Sequence, residues 1–223
     1  MAKKNSIRRI GILTGGGDCP GLNAVIRGVT KPAEDYGMSV YGIIDGFEGL
    51  VEGKAKELSN ADVSGILSRG GTILGSSNKG DPFHWPVEVN GKIEIQDKSE
   101  AALKNYKSWG LDALIAIGGD GTMHISNKLS KMGMNIVGVP KTIDNDLPLP
   151  EDIPTFGFET ARDLGAQLVM NLKRDALTSQ HWFLVLTMGR KAGHLALQIG
   201  NSSAATVTLI PEEWAGREIR LQE

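Results

Sequence analysis

Short apolar runs that alternate with helical patterns constrain the fold of this chain more than any other feature of its sequence. Strand patterns occupy residues 7–14, 39–44, 113–117 and 135–139. Helical patterns lie between them, at residues 22–34, at residues 99–109 and in a segment that ends at Lys131. Strands that alternate with helices pair in parallel, and the helices then cover both faces of the sheet. The sequence therefore predicts an α/β fold built on a three-layer, Rossmann-like parallel sheet.

Smaller patterns complete the organisation of the chain. Asn90-Gly91 predicts a surface hairpin over residues 87–95, and Asn60 is positioned to cap a short helix. Residues 142–154 hold three prolines and four acids, which is typical of a segment between domains. We therefore divide the chain into two α/β domains, residues 1–142 and 143–223. In the second domain we predict helices at 159–177 and 194–199 and strands at 182–187 and 206–210.

Composition and charge exclude several classes of function. The net charge is −2 and the isoelectric point is near 6.1. The sequence therefore lacks the basic excess that would indicate a nucleic-acid partner. No apolar run approaches the roughly 20 residues of a membrane helix, and no leader pattern is present. One cysteine, Cys19, excludes an internal disulfide. We therefore expect a cytoplasmic protein with neither a nucleic-acid nor a membrane partner.

Two glycine-rich loops follow predicted strands, at the edge where α/β proteins bind ligands. GGGD at residues 15–18 lets backbone N–H groups close on an anion, although a tight strand-to-helix turn explains it about as well. GGDGT at residues 118–122 places an acid between glycines, where Asp120 can hold Mg²⁺ beside phosphate oxygens. The alternative is an aspartate that only caps the next helix.

The segment PKTIDND at residues 140–146 carries the densest polar chemistry. Asp144 and Asp146 would face the same way if the segment were extended. One carboxylate could then take a hydroxyl proton while the other holds water or metal, and Lys141 would supply positive charge. The alternative is a polar loop between domains.

A fourth motif, Met188-Gly189-Arg190, follows the predicted strand at 182–187. The arginine could grip a sugar phosphate or a carboxylate with its fork of donors, although taken singly a surface arginine is the better interpretation. The four histidines show no spacing typical of a metal site.

Together, these motifs resemble the phosphofructokinase family. The resemblance rests on LTGGGDCPGLNAVIRG (13–28), RGGTILGSS (69–77), IGGDGT (117–122), PKTIDND (140–146) and MGRKAGHLAL (188–197). It runs from about Ile7 to the end of the chain. The resemblance implies a two-domain architecture in which residues 1–142 bind the phosphoryl donor. Residues 143–223 would then form an incomplete domain that binds fructose 6-phosphate.

The resemblance also implies roles for individual residues in moving a phosphoryl group to the 1-hydroxyl of fructose 6-phosphate. The catalytic residues would be Asp144 as general base, with Lys141, Thr142 and Asp146. The donor would meet Gly17, Gly121 and Thr122, with Asn78 and Lys79 nearby, and Asp120 would bind Mg²⁺. The sugar phosphate would meet Thr142, Ile143, Asp144, Met188, Gly189 and Arg190.

The resemblance leaves two donors to weigh, ATP and pyrophosphate. Gly121 resembles ATP users, because an aspartate there would block a nucleotide. Lys141 resembles pyrophosphate users. We favour ATP, because a lysine need not repel it, and keep pyrophosphate as the alternative. A non-catalytic phosphate- or nucleotide-binding relative is a further alternative.

The chain departs from the family pattern at several positions. Asn78 stands where the family usually has a phosphate-contacting arginine, for which Lys79 could substitute. His181 replaces an arginine that members of the family share across the interface of a homo-oligomer. The chain is also shorter than most family members. We therefore expect an incomplete sugar pocket, with weak activity or none. The resemblance itself implies a homo-oligomer.

Overall fold

The computed structural model describes residues 7–77, 79–150, 153–189 and 192–214. The chain forms two compact units, Met1–Lys141 and Thr142–Glu223. The elements of the first unit are β1 (Arg9–Thr14), α1 (Leu22–Asp35), β2 (Ser39–Ile43), α2 (Phe47–Glu52), β3 (Ala55–Leu58), β4 (Trp85–Val89), β5 (Lys92–Gln96), α3 (Ser99–Ser108), β6 (Ala113–Gly118), α4 (Asp120–Lys131) and β7 (Ile136–Thr142).

The main sheet of the first unit runs in the order β3-β2-β1-β6-β7. β1, β2, β6 and β7 are parallel, and Ile10 of β1 lies between Val40 of β2 and Ala113 of β6. β3 pairs antiparallel at the edge of the sheet, beside β2. The predicted α/β fold with a parallel sheet is confirmed, and β3 is an antiparallel addition to it.

Burial of both faces explains why the predicted strands form a sheet rather than helices. Ile12 and Leu13 are neighbours in β1, so their side chains point to opposite faces, and both are fully buried. On one face, Leu13 packs in a cluster with Leu50 of α2, Leu103 of α3 and Leu129 of α4. Burial of this kind supplies most of the driving force for folding. The sheet therefore holds the carboxyl ends of β1, β6 and β7 in a fixed row.

Three local predictions in the first unit have different outcomes. The hairpin is confirmed, since β4 and β5 pair antiparallel around Asn90-Gly91. The helix predicted at Asn60 is wrong, because residues 60–65 form turns. The Asp62 carboxylate closes this loop by accepting hydrogen bonds from the backbone N–H and the hydroxyl of Ser59, at 2.9 and 2.6 Å. Finally, the strand predicted at residues 135–139 ends later than expected, because β7 continues through Pro140, which pairs with Gly118 of β6.

The second unit contains β8 (Phe156–Gly157), α5 (Phe158–Ser179), α6 (His194–Ser203) and a 3-10 turn at Pro211–Trp214. Val169 of α5 packs with Leu195 and Ile199 of α6. The Lys173 ammonium donates to the carbonyls of Ser203 and Ala204, at 3.0 and 2.5 Å, and so satisfies carbonyls at the end of α6. Both predicted helices are confirmed, with longer bounds than expected.

The strands predicted at residues 182–187 and 206–210 are wrong, because neither segment pairs with another strand in the described part of the chain. Exposure nonetheless alternates along the first segment. Trp182, Leu184 and Leu186 are 92%, 98% and 95% exposed, whereas Phe183 and Val185 are 47% and 44% exposed. An apolar alternating segment becomes a strand only when a neighbouring strand satisfies its backbone groups. The described residues supply no such neighbour.

The Asp112 carboxylate should make the stability of the protein depend on pH. It accepts hydrogen bonds from the backbone N–H groups of Arg8 and Arg9, at 2.7 and 2.9 Å, and these bonds hold its pKa below the ordinary value of 3.8. A carboxyl whose pKa is lowered by folding stabilises the fold above its unfolded pKa. This stabilisation is lost as the pH falls through the folded pKa.

We therefore expect Asp112→Asn to lower the free energy of unfolding at pH 7, by under about 1 kcal/mol because the carboxylate is exposed. The difference from the parent should shrink as the pH falls from about 4 toward about 2. Urea unfolding at several pH values measures it, with Asp35→Asn at an exposed site of α1 as the control. An equal difference at pH 7 and pH 2 would contradict this role.

Candidate functional site

The loop after β1 is built from backbone groups rather than side chains. The Gly15 N–H donates to the Ile117 carbonyl at 2.8 Å, which joins the ends of β1 and β6. Gly16 has φ 78°, a left-handed conformation that favours glycine. A side chain added at Gly17 would meet no atom within 4 Å. The predicted anion-binding loop therefore has open space beside its third glycine.

The loop after β6 runs directly into a helix. α4 begins at Asp120, so Gly121 and Thr122 lie in its first turn rather than in a free loop. The Thr122 side chain is 7% exposed and fills the space where side chains at Gly15 and Gly118 would otherwise stand. Asp120 is exposed, and a side chain at Gly121 would meet nothing within 4 Å. This helix start thus presents a carboxylate and open space.

Lys141, near the end of β7, reaches back to the glycine loop of the same unit. Its side chain is 6% exposed, and its Nζ donates to the Gly17 carbonyl at 2.5 Å. Among the described residues it forms no ion pair. We call residues 15–17 together with Lys141 the glycine cradle. It places the Lys141 ammonium beside the glycine loop, where its positive charge can attract an anion. The Gly15 and Gly16 N–H groups already donate to the Ile117 and Ser77 carbonyls.

The turn that follows Lys141 belongs to the second unit. The Thr142 hydroxyl accepts a hydrogen bond from the Asp144 N–H at 3.0 Å, and Asn145 has φ 52°. The segment is therefore bent, and the expectation that Asp144 and Asp146 share one face of an extended segment is wrong. Asp144 Oδ1 is buried, and no described residue hydrogen-bonds to it. Asp146 is exposed.

Two residues that hold this turn were missed by sequence reasoning. Asn145 Oδ1 accepts a hydrogen bond from the Thr155 N–H at 3.0 Å, and the Thr155 hydroxyl donates to the Thr142 carbonyl at 2.9 Å. Thr155 is 1% exposed. The tolerance of asparagine for left-handed backbone could have identified Asn145. No local signal identifies Thr155, because its partners lie 10 and 13 residues away.

The structure describes only part of the predicted sugar-phosphate site. Met188 is 70% exposed and lines an apolar cavity of about 460 Å³ with Ile143. Gly189 has φ 150°, and a side chain there would stand 2.5 Å from the Ala192 carbonyl oxygen. Arg190 lies outside the described residues, so the structure gives it no position.

The structure describes only one of the two predicted donor-site residues at positions 78 and 79. Asn78 lies outside the described residues. Lys79 is exposed, and its N–H donates to the Ser77 hydroxyl at 3.2 Å. His181, at the position where an arginine was expected, is exposed.

The described residues contain no group of three or more acids, histidines or cysteines placed to hold a metal ion. Mg²⁺ at phosphate sites usually takes one or two carboxylates, with water and phosphate oxygens completing its shell. The exposed carboxylate of Asp120 at the start of α4 fits that kind of site. In the first unit, Lys141 contacts Gly17, and Thr122 fills the space beside Gly15 and Gly118. In the second unit, Thr142 contacts Asp144.

Comparison with known proteins identifies the family. The family model described as phosphofructokinase matches residues 9–221. The chain belongs to the phosphofructokinase family. Among solved structures it is similar to Pichia pastoris phosphofructokinase in the T-state, at 29% identity with a TM-score of 0.73. That match covers 90% of this chain and 22% of the Pichia chain.

Curated members of the phosphofructokinase family with different donors are about equally similar to the chain. The pyrophosphate–fructose 6-phosphate 1-phosphotransferase of Thermotoga maritima is 48% identical over 92% of this chain and 48% of its own length. ATP-dependent 6-phosphofructokinase 2 of Clostridium perfringens is 49% identical over 92% of this chain and 56% of its own length. The chain therefore spans about half the length of these relatives. None of the helices in the described ranges is long and apolar enough to cross a membrane.

Proposed function

We propose that the protein transfers a phosphoryl group from ATP to the 1-hydroxyl of fructose 6-phosphate, giving fructose 1,6-bisphosphate. The observation that carries this proposal is Asp144 Oδ1, which is buried and has no hydrogen-bond partner among the described residues. Such a carboxylate oxygen is expensive to keep unless a ligand completes its hydrogen bonding. A hydroxyl group that donates a proton to it would do so.

The described residues support separate roles for Asp144 and for the glycine cradle in this transfer. Asp144 accepts the proton of the sugar hydroxyl, and the Thr142 hydroxyl holds the Asp144 backbone by accepting its N–H. The glycine cradle binds phosphate oxygens of the donor, since Lys141 is buried beside Gly17. Enzymes of this chemistry act mainly by positioning and by neutralising charge.

The remaining roles follow family membership. Asp120 would hold Mg²⁺, which would neutralise phosphate charge when bound, and Asp146 would lie near the reacting groups. Residues 1–142 bind the donor, with Gly121, Thr122 and Lys79 near it. Residues 143–223 bind the sugar phosphate, with contacts from Ile143, Met188, Gly189 and Arg190. We place the protein in the cytoplasm as a homo-oligomer.

ATP is the proposed donor because of the open space at Gly121, where nothing lies within 4 Å of an added side chain. The relatives do not decide between the donors, because both kinds match about equally well. Pyrophosphate remains the alternative donor, and it is favoured by the lysine at position 141.

We expect Asp144→Asn to lower turnover of fructose 6-phosphate by about 10²- to 10⁴-fold, since an amide cannot accept the hydroxyl proton. Donor affinity and the unfolding midpoint should change little, because Oδ1 has no partner to lose. A coupled assay with ATP and with pyrophosphate measures turnover, and calorimetry measures donor binding. Asp163→Asn, at an exposed carboxylate of α5, is the matched control. Equal turnover of fructose 6-phosphate by Asp144→Asn and the parent would contradict the proposed role of Asp144.

We expect Gly121→Asp to leave the fold intact, because its side chain would enter open space and an acid is favourable in the first turn of a helix. The added charge should lower ATP turnover by at least about 10-fold while pyrophosphate turnover changes less. Gly28→Asp is the matched control, since Gly28 lies within α1 with nothing within 4 Å of an added side chain. Equal ATP turnover by Gly121→Asp and the parent would show that this position does not select the donor.

A further inference from the structure

A buried amide on α1 organises the loop that lies beside the glycine cradle. Asn23 is the second residue of α1 and is 1% exposed. Its Nδ2 donates to the carbonyls of Arg69 and Gly70, at 3.0 and 3.2 Å, and its Oδ1 accepts from the Ile73 N–H at 2.9 Å. Every polar atom of this side chain is therefore engaged by one loop, 46 to 50 residues away.

The far end of the same loop is tied to the glycine loop. The Thr14 hydroxyl is fully buried and donates to the Gly75 carbonyl at 2.6 Å. The Ser76 hydroxyl donates to the Gly16 carbonyl, and the Gly16 N–H donates to the Ser77 carbonyl at 3.3 Å. The backbone of the cradle is thus held from one side by Lys141 and from the other by this loop.

We infer that Asn23 is a positioning residue for the phosphoryl donor. It fixes residues 69–73, and the loop then sets the backbone of Gly16 through Ser76 and Ser77. The donor meets the cradle rather than Asn23, so the amide acts on donor binding through the loop. This inference rests on the proposed function, since it assumes that the cradle binds the donor.

The test replaces the amide with an isosteric carboxylate. In Asn23→Asp an oxygen faces the Arg69 and Gly70 carbonyls, so two attractions become repulsions. We expect the dissociation constants for ATP and pyrophosphate to rise about 10-fold, and the donor KM to rise while the fructose 6-phosphate KM changes less than about 2-fold. Amide hydrogen exchange should quicken at Ile73 and at Gly16.

Asn105→Asp separates this effect from a general loss of stability. Asn105 makes the same pair of bonds elsewhere in the unit, since its Nδ2 donates to the Leu50 and Val51 carbonyls, both at 2.9 Å. We expect Asn105→Asp to lower the unfolding midpoint while the donor dissociation constant stays at the parent value. A donor constant raised equally in both variants would overturn the inference.

A double-mutant cycle checks the route through Ser76. Ser76→Ala should weaken donor binding in the same direction, and combining it with Asn23→Asp should give less than the sum of the two effects. Additive effects, or a donor affinity in Asn23→Asp equal to that of the parent, would overturn the inference alone. A parent that binds neither donor would overturn the proposed function, and this inference with it.

Discussion

The hydrogen bond from the Lys141 ammonium to the Gly17 carbonyl is the contact on which the candidate site depends most. It joins residues 124 positions apart, and it reaches from β7 to the loop after β1 although β6 lies between these strands. A charge this deeply buried is stable only where polar groups satisfy it. Since no described residue offers Lys141 a carboxylate, its positive charge remains available to an anionic ligand. The strand order β1-β6-β7 thus places Lys141 within reach of the glycine loop, and their contact forms the cradle.

The fold of the first unit was largely predictable because its strands carry their own signal. The run at β6 is apolar throughout, as a strand buried on both faces must be, and its bounds differ from the prediction by one residue. The segments at 182–187 and 206–210 carry the same signal but form no strands. A sequence pattern indicates which residues suit a strand. It does not show whether a neighbouring strand is present to pair with them. Trp182, Leu184 and Leu186 are accordingly left exposed in the part of the chain that the structure describes.

The site was predictable where backbone chemistry dictates residue type and unpredictable where distant polar atoms meet. Glycines after a strand predicted the position of the loop, because the left-handed backbone of Gly16 favours glycine. The predicted geometry of Asp144 and Asp146 failed because Asn145 turns the backbone between them. The roles of Asn23 and Thr155 could not be predicted, because the sequence does not show which distant backbone groups a buried amide or hydroxyl will bond.

The dissociation constant of Lys141→Met for ATP and for pyrophosphate, measured by isothermal titration calorimetry without sugar phosphate, tests the central claim most directly. The account predicts an increase of about 10- to 100-fold for both donors, because a charge-assisted contact is lost and the cradle loosens. Lys131→Met, at the exposed end of α4, should match the parent. Binding of both donors by Lys141→Met with the affinity of the parent would contradict the account.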